Sequence, residues 1–321
     1  MVNQKIKLIF FHPYSSIGGA DLSISKIINN LSPEKYSIDF ICIRRNKNSI
    51  PLNKNIKIYE LKTSKTIFAF FPFRKIINRN LKKKFKKVII VSNQNFANIL
   101  ALFFTAGFQE KIKRVAFERN HLNELSNYFN LKDKIKKNII KLLIKLTYSK
   151  FDKIITNSIE SSRDLSKFLN LNVSTIFNPF IIKNIKNKKR KKGKDIHILN
   201  VGRLEKQKDQ ITLIKAVEIL KKSYYIKLTI VGSGSEYKFL KNYIIHKKIT
   251  GHIKIIKEKK DLTNFFLNSD IFILTSLYEG FPNVLVESII HNIPIVSSNC
   301  KSGPKEILKN SSVQNTFKVK D

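Results

Sequence analysis

The sequence predicts an α/β fold that contains two doubly wound parallel sheets, each in its own domain. Short runs rich in Ile, Val and Phe recur along the chain, which is typical of parallel strands that are buried on both faces. Segments whose apolar residues follow helical spacing alternate with these runs, and this alternation predicts β-α-β units. The series occurs twice within 321 residues, a length that exceeds the usual size of one domain.

The predicted elements follow the order of these patterns along the chain. In the first half the predicted strands are residues 5–11, 37–43, 86–92 and 153–158. In the second half they are residues 197–204, 227–234, 252–256, 270–276 and 293–298. The clearest helical patterns cover residues 20–31, 209–223 and 235–248.

The segment between the two series predicts the domain boundary. Residues 177–195 are polar and basic and contain Pro179 and Gly193, a composition that favours a linker with few core contacts. We therefore expect a first domain at 1–180 and a second at 190–321. Open sheets of this kind bind ligands at the carboxyl ends of their strands, so two such domains facing each other would enclose a ligand-binding cleft.

The chain is strongly basic. Lys and Arg number 61 against 23 acidic residues, which gives a formal net charge of +38. Such a charge attracts polyanions, among them nucleic acid, nucleotide phosphates and anionic membrane surfaces. Lys, Ile and Asn dominate the whole sequence, so the charge also fits a general compositional bias and names no partner by itself.

The cysteines and the N-terminus predict a cytoplasmic protein. Cys42 and Cys300 lie far apart and lack the spacing of a zinc site or a disulfide framework, which suits a reducing compartment. The apolar stretch before His12 and Pro13 is too short for a signal sequence or a membrane span. We interpret it as the first strand.

A turn after the first strand of the second domain carries two cations. Gly202, Arg203 and Lys208 follow that strand within residues 201–209. Arg offers a bidentate fork and Lys a point charge, a pair expected where a diphosphate leaving group is held. Two solvated charges are the alternative, and Lys208 alone would be background in a chain so rich in lysine.

Two glycine turns resemble places where a phosphate approaches the backbone. Gly232 lies in the VGSGS turn after the next strand, which lacks a complete G-x-G-x-x-G pattern and is equally compatible with a plain turn. In the first domain Gly18 and Gly19 follow the first strand and precede a helix, where the backbone can approach a ligand closely.

The segment EGFPNVLVE at residues 279–287 places two carboxylates around a helix start. Glu279 lies in a loop after a predicted strand, Pro282 suits the first turn of a helix, and Glu287 follows on that helix. The backbone amides of the first turn, near Gly280, Phe281 and Asn283, lack partners within a helix. Two acids beside such amides favour a polyhydroxylated ligand that carries a phosphate.

The order of these motifs resembles the retaining GT-B glycosyltransferases of family 4, which use nucleotide-sugar donors. The resemblance runs through almost the whole chain. Its motifs are GGA at 18–20, VGRL at 201–204 with Lys208, VGSGS at 231–235, YEGFPNVLVE at 278–287, PIVSS at 294–298 and GPKEIL at 303–308. The two acids with GFP between them are the specific element, whereas the glycine turns gain weight only from their order.

The resemblance implies roles for the residues of both domains, with acceptor binding in the first and donor binding in the second. Arg203 and Lys208 would hold the donor diphosphate, Glu287 the nucleotide ribose and Glu279 a sugar hydroxyl. Phe281, Pro282 and Asn283 would contact the sugar and phosphate. In the first domain, residues 118–121 (ERNH) follow a strand, and His121 would hydrogen-bond the transferred sugar; an uncommitted surface histidine is the alternative.

The expected chemistry needs no metal. Cations and helix-end amides can stabilise the charge that develops on a leaving diphosphate, and no metal-binding DxD motif stands at a suitable strand end. Retention of configuration is implied by the resemblance alone. Family members commonly continue beyond the equivalent of residues 315–321 and return to the first domain with a C-terminal helix, so we expect the second domain to be incomplete, in a fragment or in a shortened member.

Two stretches of the first domain have the character of membrane contacts. Residues 66–87 join the aromatic cluster FAFFPF to a dense basic run, which favours an anionic membrane surface. In residues 131–146, the apolar positions 135, 139, 142 and 146 recur at helical spacing opposite lysines, a pattern that equally fits a helix packed on a core. A lipid-linked acceptor on the cytoplasmic face of a membrane would suit both stretches.

The sequence therefore favours a cytoplasmic, peripheral membrane glycosyltransferase that moves a hexose or N-acetylhexosamine to a glycan or lipid-linked acceptor. A GT-B nucleotide-sugar 2-epimerase would share the fold and donor but not the YEGFPNVLVE element. A nucleic-acid-binding protein would explain the charge but not the paired acids, and no DNA- or RNA-binding signature is present.

Overall fold

A computed structural model describes residues 4–15, 19–45, 50–180, 195–259, 261–309 and 314–318. The chain divides into two compact units, Met1–Phe180 and Ile181–Asp321. Most of the predicted linker, residues 181–194, lies outside the described residues.

The first unit contains a parallel sheet of seven strands in the order β5-β3-β1-β6-β7-β8-β9. Its strands are β1 (Ile6–Phe11), β2 (Tyr14–Ser15), β3 (Tyr36–Cys42), β4 (Arg44–Arg45), β5 (Lys57–Glu60), β6 (Lys87–Asn93), β7 (Lys113–Glu118), β8 (Lys153–Thr156) and β9 (Val173–Thr175). Its helices are α1 (Gly19–Asn29), α2 (Phe70–Leu81), α3 (Asn95–Phe104), α4 (Leu131–Thr147) and α5 (Ile159–Leu169). The short strands β2 and β4 pair with each other outside the main sheet.

The second unit contains a parallel sheet of six strands in the order β12-β11-β10-β13-β14-β15. Its strands are β10 (Ile196–Val201), β11 (Ile226–Val231), β12 (Ile253–Ile256), β13 (Ile271–Leu274), β14 (Ile295–Ser298) and β15 (Gln314–Phe317). Its helices are α6 (Gln210–Leu220), α7 (Tyr237–His246), α8 (Thr263–Leu267), α9 (Asn283–Ile290) and α10 (Pro304–Leu308).

Both sheets are covered on both faces. Alternate side chains of β1 enter different cores, since Ile9 and Phe11 pack with α2 and α3 whereas Leu8 and Phe10 pack with α1. The predicted α/β class with two parallel, Rossmann-like sheets is confirmed. With both faces covered, the strand ends are the places where a ligand can reach each sheet.

The strands that sequence patterning missed lie mostly at sheet edges. β5 and β9 are the edge strands of the first sheet, and every residue of β5 retains some exposure. An edge strand has one neighbour only, so its sequence needs no continuous apolar run. β7 lies inside the sheet and was expected only as the strand that precedes residues 118–121, because it buries Arg114 and Glu118 among its apolar residues and so lacks a continuous apolar pattern.

Each sheet has a point where the chain reverses its direction of winding. β1 lies between β3 and β6, and β10 lies between β11 and β13. Successive β-α-β units move outward in opposite directions from these central strands, which opens a crevice at their carboxyl ends. The loops after β10 and β13, and those after β1 and β6, are therefore the expected ligand sites.

Candidate active site

The two motifs that the sequence singled out in the second unit meet at its winding reversal. Lys208 follows β10, and its Nζ donates to Oε1 of Glu279, which follows β13, at 2.5 Å. Ser276 Oγ donates to the same carboxylate oxygen at 2.6 Å. The side chains of Lys208 and Glu279 are only 15% and 7% exposed, so this ion pair is largely withdrawn from water.

Further hydrogen bonds fasten the loop after β10 to the loop after β13. The Leu277 N–H donates to the Gln207 carbonyl, and Gln207 Nε2 donates to the Tyr278 carbonyl, each at 2.8 Å. Thr275 Oγ1 donates to the Lys208 carbonyl, also at 2.8 Å. The two loops therefore hold each other in place without any ligand, and the pair of charges between them is preorganised.

Arg203 lies at the exposed side of this loop pair. One guanidinium nitrogen donates to Gln207 Oε1 at 3.1 Å, and the Arg203 carbonyl accepts from Gln210 Nε2 at 2.9 Å. A guanidinium has five N–H donors in a planar fork. Arg203 can therefore offer a bidentate contact to an oxyanion while its backbone stays fixed.

Gly232 is required by the packing of two turns. A Cβ at this position would lie 1.9 Å from the Gly202 carbonyl oxygen, so no other residue fits without moving the backbone. The Gly202 N–H in turn donates to the Val231 carbonyl at 3.0 Å. Both predicted glycines lie in this close contact between the ends of β10 and β11; a role in donor binding stays a prediction.

Helix α9 follows the GFP loop and begins one residue later than the predicted start at Pro282. Pro282 precedes the helix with ψ of 95°, and α9 starts at Asn283. Proline suits this position because it has no N–H to satisfy and its φ is fixed. Pro282 is buried, whereas Gly280, Phe281 and Asn283 are half-buried.

Ser302 and Gly303 contact this loop, and the sequence analysis did not predict these contacts. Ser302 Oγ donates to the Gly280 carbonyl at 2.9 Å. Gly303 has φ of +78°, and a Cβ there would lie 2.5 Å from Pro282 Cδ. The GPKEIL segment therefore shapes the GFP loop, a function that its sequence alone does not indicate.

Glu287 is half-buried on α9, whereas Glu279 lies in the loop before that helix. Its carbonyl oxygen accepts from the His291 N–H at 3.1 Å and contacts His291 Nδ1 at 2.7 Å. The structure thus places the backbone of Glu287 in the last turn of α9. Its predicted contact with a ribose stays a prediction.

Cys300 is buried, and it lies close enough to Glu279 for the carboxylate also to raise the pKa of the Cys300 thiol. Burial, together with the negative charge of Glu279, raises the pKa of the Cys300 thiol to about 12. Burial also raises the pKa of Cys42 to about 11. Both cysteines are therefore protonated thiols at neutral pH, which excludes them as thiolate nucleophiles.

The structure places His121 inside the first unit. It is 2% exposed and precedes a short 3-10 helix, Leu122–Leu125. Its Nδ1 accepts from the Asn123 N–H at 3.1 Å, and its Nε2 lies 3.1 Å from Asp164 Oδ2. His121 therefore has structural contacts at both ring nitrogens, while its predicted catalytic role stays a prediction. Gly19 opens α1, and Gly18 lies outside the described residues.

A polar network that sequence reasoning missed occupies the winding reversal of the first unit. His12, directly after β1, contacts Asp21 of α1 through Nε2 and accepts from Asn93 Nδ2 at 3.2 Å. Arg119, directly after β7, donates to Asn93 Oδ1 and to Asn178 Oδ1, each at 2.7 Å. All five residues are buried. His12 and Arg119 come directly after a strand, and this position is the sequence signal that could have found these two residues.

Burial shifts the pKa values of Arg119, which belongs to this network, and of Glu118, which precedes it in the chain. Burial raises the pKa of the Glu118 carboxyl to about 7, although Tyr148 Oη donates to it at 2.7 Å. Burial lowers the pKa of the Arg119 guanidinium to about 9, against the attraction of Asp21. The carboxyl edge of the first sheet therefore holds charges that the fold has desolvated.

Two kinds of feature are absent from the described part of the chain. No group of three or more His, Cys, Asp or Glu side chains among the described residues is arranged to hold a metal ion. Within the same residues, no helix combines the length and apolar character needed to cross a membrane.

Residues 181–321 match the family of group 1 glycosyl transferases. The chain is 24% identical over 310 residues to AmsD, an amylovoran biosynthesis glycosyltransferase of Erwinia amylovora, covering 94% of this chain and 83% of AmsD. It is 29% identical over 198 residues to the N-acetylgalactosamine-N,N'-diacetylbacillosaminyl-diphospho-undecaprenol 4-alpha-N-acetylgalactosaminyltransferase of Campylobacter jejuni, covering 60% of this chain and 50% of that enzyme.

Among solved structures, the fold is similar to that of HepE from Anabaena in complex with UDP and glucose. The TM-score is 0.73 at 16% identity, with 98% of this chain and 86% of HepE covered. At this identity the likeness concerns the fold. The comparisons therefore show that residues 181–321 are similar to group 1 glycosyl transferases and that the fold is similar to that of HepE.

Proposed function

From the match of residues 181–321 to the group 1 glycosyltransferases, we propose that this chain transfers a hexose or N-acetylhexosamine from a nucleotide-sugar donor. The acceptor is a glycan or a lipid-linked saccharide in the synthesis of a surface polysaccharide. One observation carries the assignment of the donor site: Lys208 and Glu279 meet between the adjacent strands β10 and β13, where the second sheet reverses its winding. Ligands of doubly wound folds bind at this point.

Arg203 and Lys208 have the chemistry to hold the departing diphosphate. Arg203 is exposed and can bind two phosphate oxygens at once. Lys208 has three N–H donors, of which one reaches Glu279. The remaining donors can bind a phosphate oxygen while the ion pair with Glu279 keeps the ammonium in place. Positive charge that is fixed before the reaction stabilises the leaving group as its negative charge develops.

The carboxylates have the chemistry to orient the two ends of the donor. Both described contacts of the Glu279 carboxylate use Oε1, which leaves Oε2 to accept from a sugar hydroxyl. Glu287, farther along α9, accepts from the ribose. Phe281, Pro282 and Asn283 form the wall of the loop between the two acids. We further propose that transfer retains the anomeric configuration and uses no metal ion.

The relatives support the substrate classes of this proposal. AmsD is named for the synthesis of amylovoran, and the Campylobacter enzyme for a sugar acceptor on diphospho-undecaprenol. HepE was solved with UDP and glucose. Both named relatives are glycosyltransferases, which favours a transferase over the nucleotide-sugar epimerase considered from sequence.

The test is a transfer assay with a panel of nucleotide sugars and with lipid-linked and soluble saccharides as acceptors. We expect one donor to be consumed and one sugar to be added to an acceptor, as seen by mass spectrometry. NMR of the product then reports its anomeric configuration, and a chelator should leave the rate unchanged. Conversion of a nucleotide sugar to its C2 epimer, or consumption of no donor with any acceptor, would overturn the proposal.

A further inference from the structure

Helix α4 has two apolar faces, and one of them points to solvent. Ile144 is its only buried residue among those described, and Ile140 packs partly against the same core cluster. The second face consists of Leu131, Ile135, Ile139, Leu142 and Leu146, which we name the outer stripe. These side chains are 70%, 54%, 54%, 56% and 60% exposed.

The outer stripe lies on the side of the helix opposite the core. At about 100° per residue, Ile135 and Ile144 project about 180° apart around the helix axis. The other stripe residues fall within about 40° of Ile135 by the same geometry. An ordinary surface helix turns its apolar face inward and its polar face outward. α4 therefore exposes an apolar surface that its own unit does not cover.

The neighbouring helices also expose apolar side chains. α3 contacts both α2 and α4. α3 exposes Phe96 and Phe103, and the start of α2 exposes Phe71, which is 77% exposed. Phe68, just before α2, is 56% exposed. Three consecutive helices thus present large apolar side chains to solvent. Single exposed apolar residues are normal on a protein surface, whereas a group of them marks an interaction surface.

Part of the aromatic cluster FAFFPF is core, whereas the sequence analysis interpreted the whole cluster as a membrane contact. The segment forms a short 3-10 turn, Thr66–Ala69, and the start of α2. Phe73 is fully buried, and the half-buried Phe70 packs against the core and against Phe103. Only Phe68 and Phe71 of the four phenylalanines are available to a partner.

Lysines flank the outer stripe. Lys132 and Lys136 lie on one side of it, Lys134 and Lys145 on the other, and all four are exposed. Lys137 and Lys141 are engaged within the protein, with the Asn127 carbonyl and Ser126 Oγ respectively. Lys75 and Arg79 on α2 are also exposed.

We propose that the outer faces of α2, α3 and α4 bind an anionic lipid bilayer, with α4 lying in the plane of the interface. The partner must be apolar enough to cover the outer stripe and negative enough to match its lysines, and a bilayer with anionic headgroups has both properties. A second copy of the chain would bring another basic surface against this one. RNA or DNA would match the lysines but would leave the stripe in water. This surface is separate from the donor site, so the proposal goes beyond the proposed function.

Flotation with vesicles tests the proposal without any sugar substrate. The stripe variant carries Ser at positions 135, 139, 142 and 146, and the matched control carries Ser at the equally exposed Ile219, Tyr225, Phe239 and Ile245 of the second unit. We expect the unaltered chain and the control to float with phosphatidylcholine vesicles that contain phosphatidylglycerol. The stripe variant should partition at least about tenfold less.

A second variant, with Gln at Lys132, Lys134, Lys136 and Lys145, tests the electrostatic part. It keeps the apolar stripe, so it should bind about tenfold or more weakly to anionic vesicles and little differently to neutral ones. Gln at the exposed Lys215, Lys222, Lys238 and Lys241 is its control. Salt should weaken binding of the unaltered chain only in part, because the outer stripe is not screened.

Three results would overturn the proposal. The stripe variant could float as well as the unaltered chain. RNA could abolish flotation while binding the stripe variant and the unaltered chain equally, with the steep salt dependence of phosphate contacts. The unaltered chain could instead form a dimer in sedimentation, lost in the stripe variant, and bind no vesicles of either composition.

Discussion

The two sheets end in carboxyl edges of different character. In the second unit, Arg203 is exposed and Lys208 is half-buried against Glu279. In the first unit, His12, Asp21, Asn93 and Arg119 are all buried and bonded to one another. The same topology therefore carries an exposed arginine beside a half-buried lysine in one unit and a desolvated internal network in the other.

The charged side chains of the two edges therefore differ in function: some can bind a ligand, and others are held by partners within the fold. Exposed and half-buried charges cost little to fold and remain able to meet a ligand, as the donor site requires. Buried charges are held by their partners, and their desolvation couples them to the stability of the fold. Substitutions should accordingly affect different quantities: turnover at Arg203, the free energy of unfolding in the first unit, and both quantities at Lys208, whose partner Glu279 is buried.

The largest expected effect is on turnover. Replacing Arg203 or Lys208 with Ala should lower kcat by about a hundredfold or more, because each removes a preorganised charge that faces the leaving diphosphate. The two variants should differ in stability. Arg203→Ala should leave unfolding almost unchanged, whereas Lys208→Ala leaves the buried Glu279 unpaired and should cost about 2 kcal/mol.

Kinetics and urea unfolding of both variants check this prediction. Lys222→Ala, an exposed lysine near the end of α6, is the control and should change neither quantity. Unchanged kcat in Arg203→Ala would contradict the assignment of the leaving-group site.

The next effect concerns the pH dependence of stability. Burial raises the pKa of Glu118 from 4.5 to about 7. Between pH 4.5 and about 7, this carboxyl is therefore protonated in the folded chain and ionised in the unfolded chain. The stability contribution of this group therefore falls as pH rises from about 4.5 to about 7, by about 3 kcal/mol in total, and is constant above that range. Glu118→Gln should remove this decline.

Urea unfolding at several pH values between 4.5 and 8 measures the slope for the unaltered chain and for Glu118→Gln. The exposed Glu34 provides a control, since Glu34→Gln should keep the original slope. If Glu118→Gln and the unaltered chain lose stability in parallel across this range, Glu118 is not the titrating group.

A smaller effect is expected behind the GFP loop. Gly303→Ala should destabilise the second unit by about 2 kcal/mol, because φ of +78° is strained for alanine and its Cβ would press on Pro282. Since Pro282 is the last residue of the GFP loop, donor affinity should fall as well. Gly251→Ala is the matched control, because a Cβ there meets nothing within 4 Å. Equal stability and donor affinity in the two variants would refute this role of Gly303.

The central parts of the fold follow from local sequence, whereas contacts between distant residues do not. β1, β6, β10 and β13 are rich in apolar residues because both faces of their sheets are covered. The ion pair of Lys208 and Glu279 joins residues 71 apart in the chain, and only the order of strands in the sheet brings them together. The network of His12 and Arg119 was missed for the same reason.

Helix α4 shows a second limit of sequence reasoning. Its periodicity indicates an apolar stripe, but periodicity does not say whether that stripe faces the core or solvent. Ile144 and Ile140 supply a separate inward face, and this became visible only once the helix was placed against β7 and β8. The predicted helix was therefore correct, while its outward orientation required the structure.

The central claim is that the carboxyl edge of the second unit binds a nucleotide sugar. Its most direct test is the thermal unfolding of the unaltered chain, Arg203→Ala and Glu287→Gln with a panel of nucleotide sugars. Because a bound donor stabilises the folded state by mass action, one nucleotide sugar should raise Tm of the unaltered chain. Both variants should need about tenfold more donor for the same shift, since each loses a charged hydrogen bond. A shift of equal size and concentration dependence in all three proteins, or none with any donor, would contradict the claim.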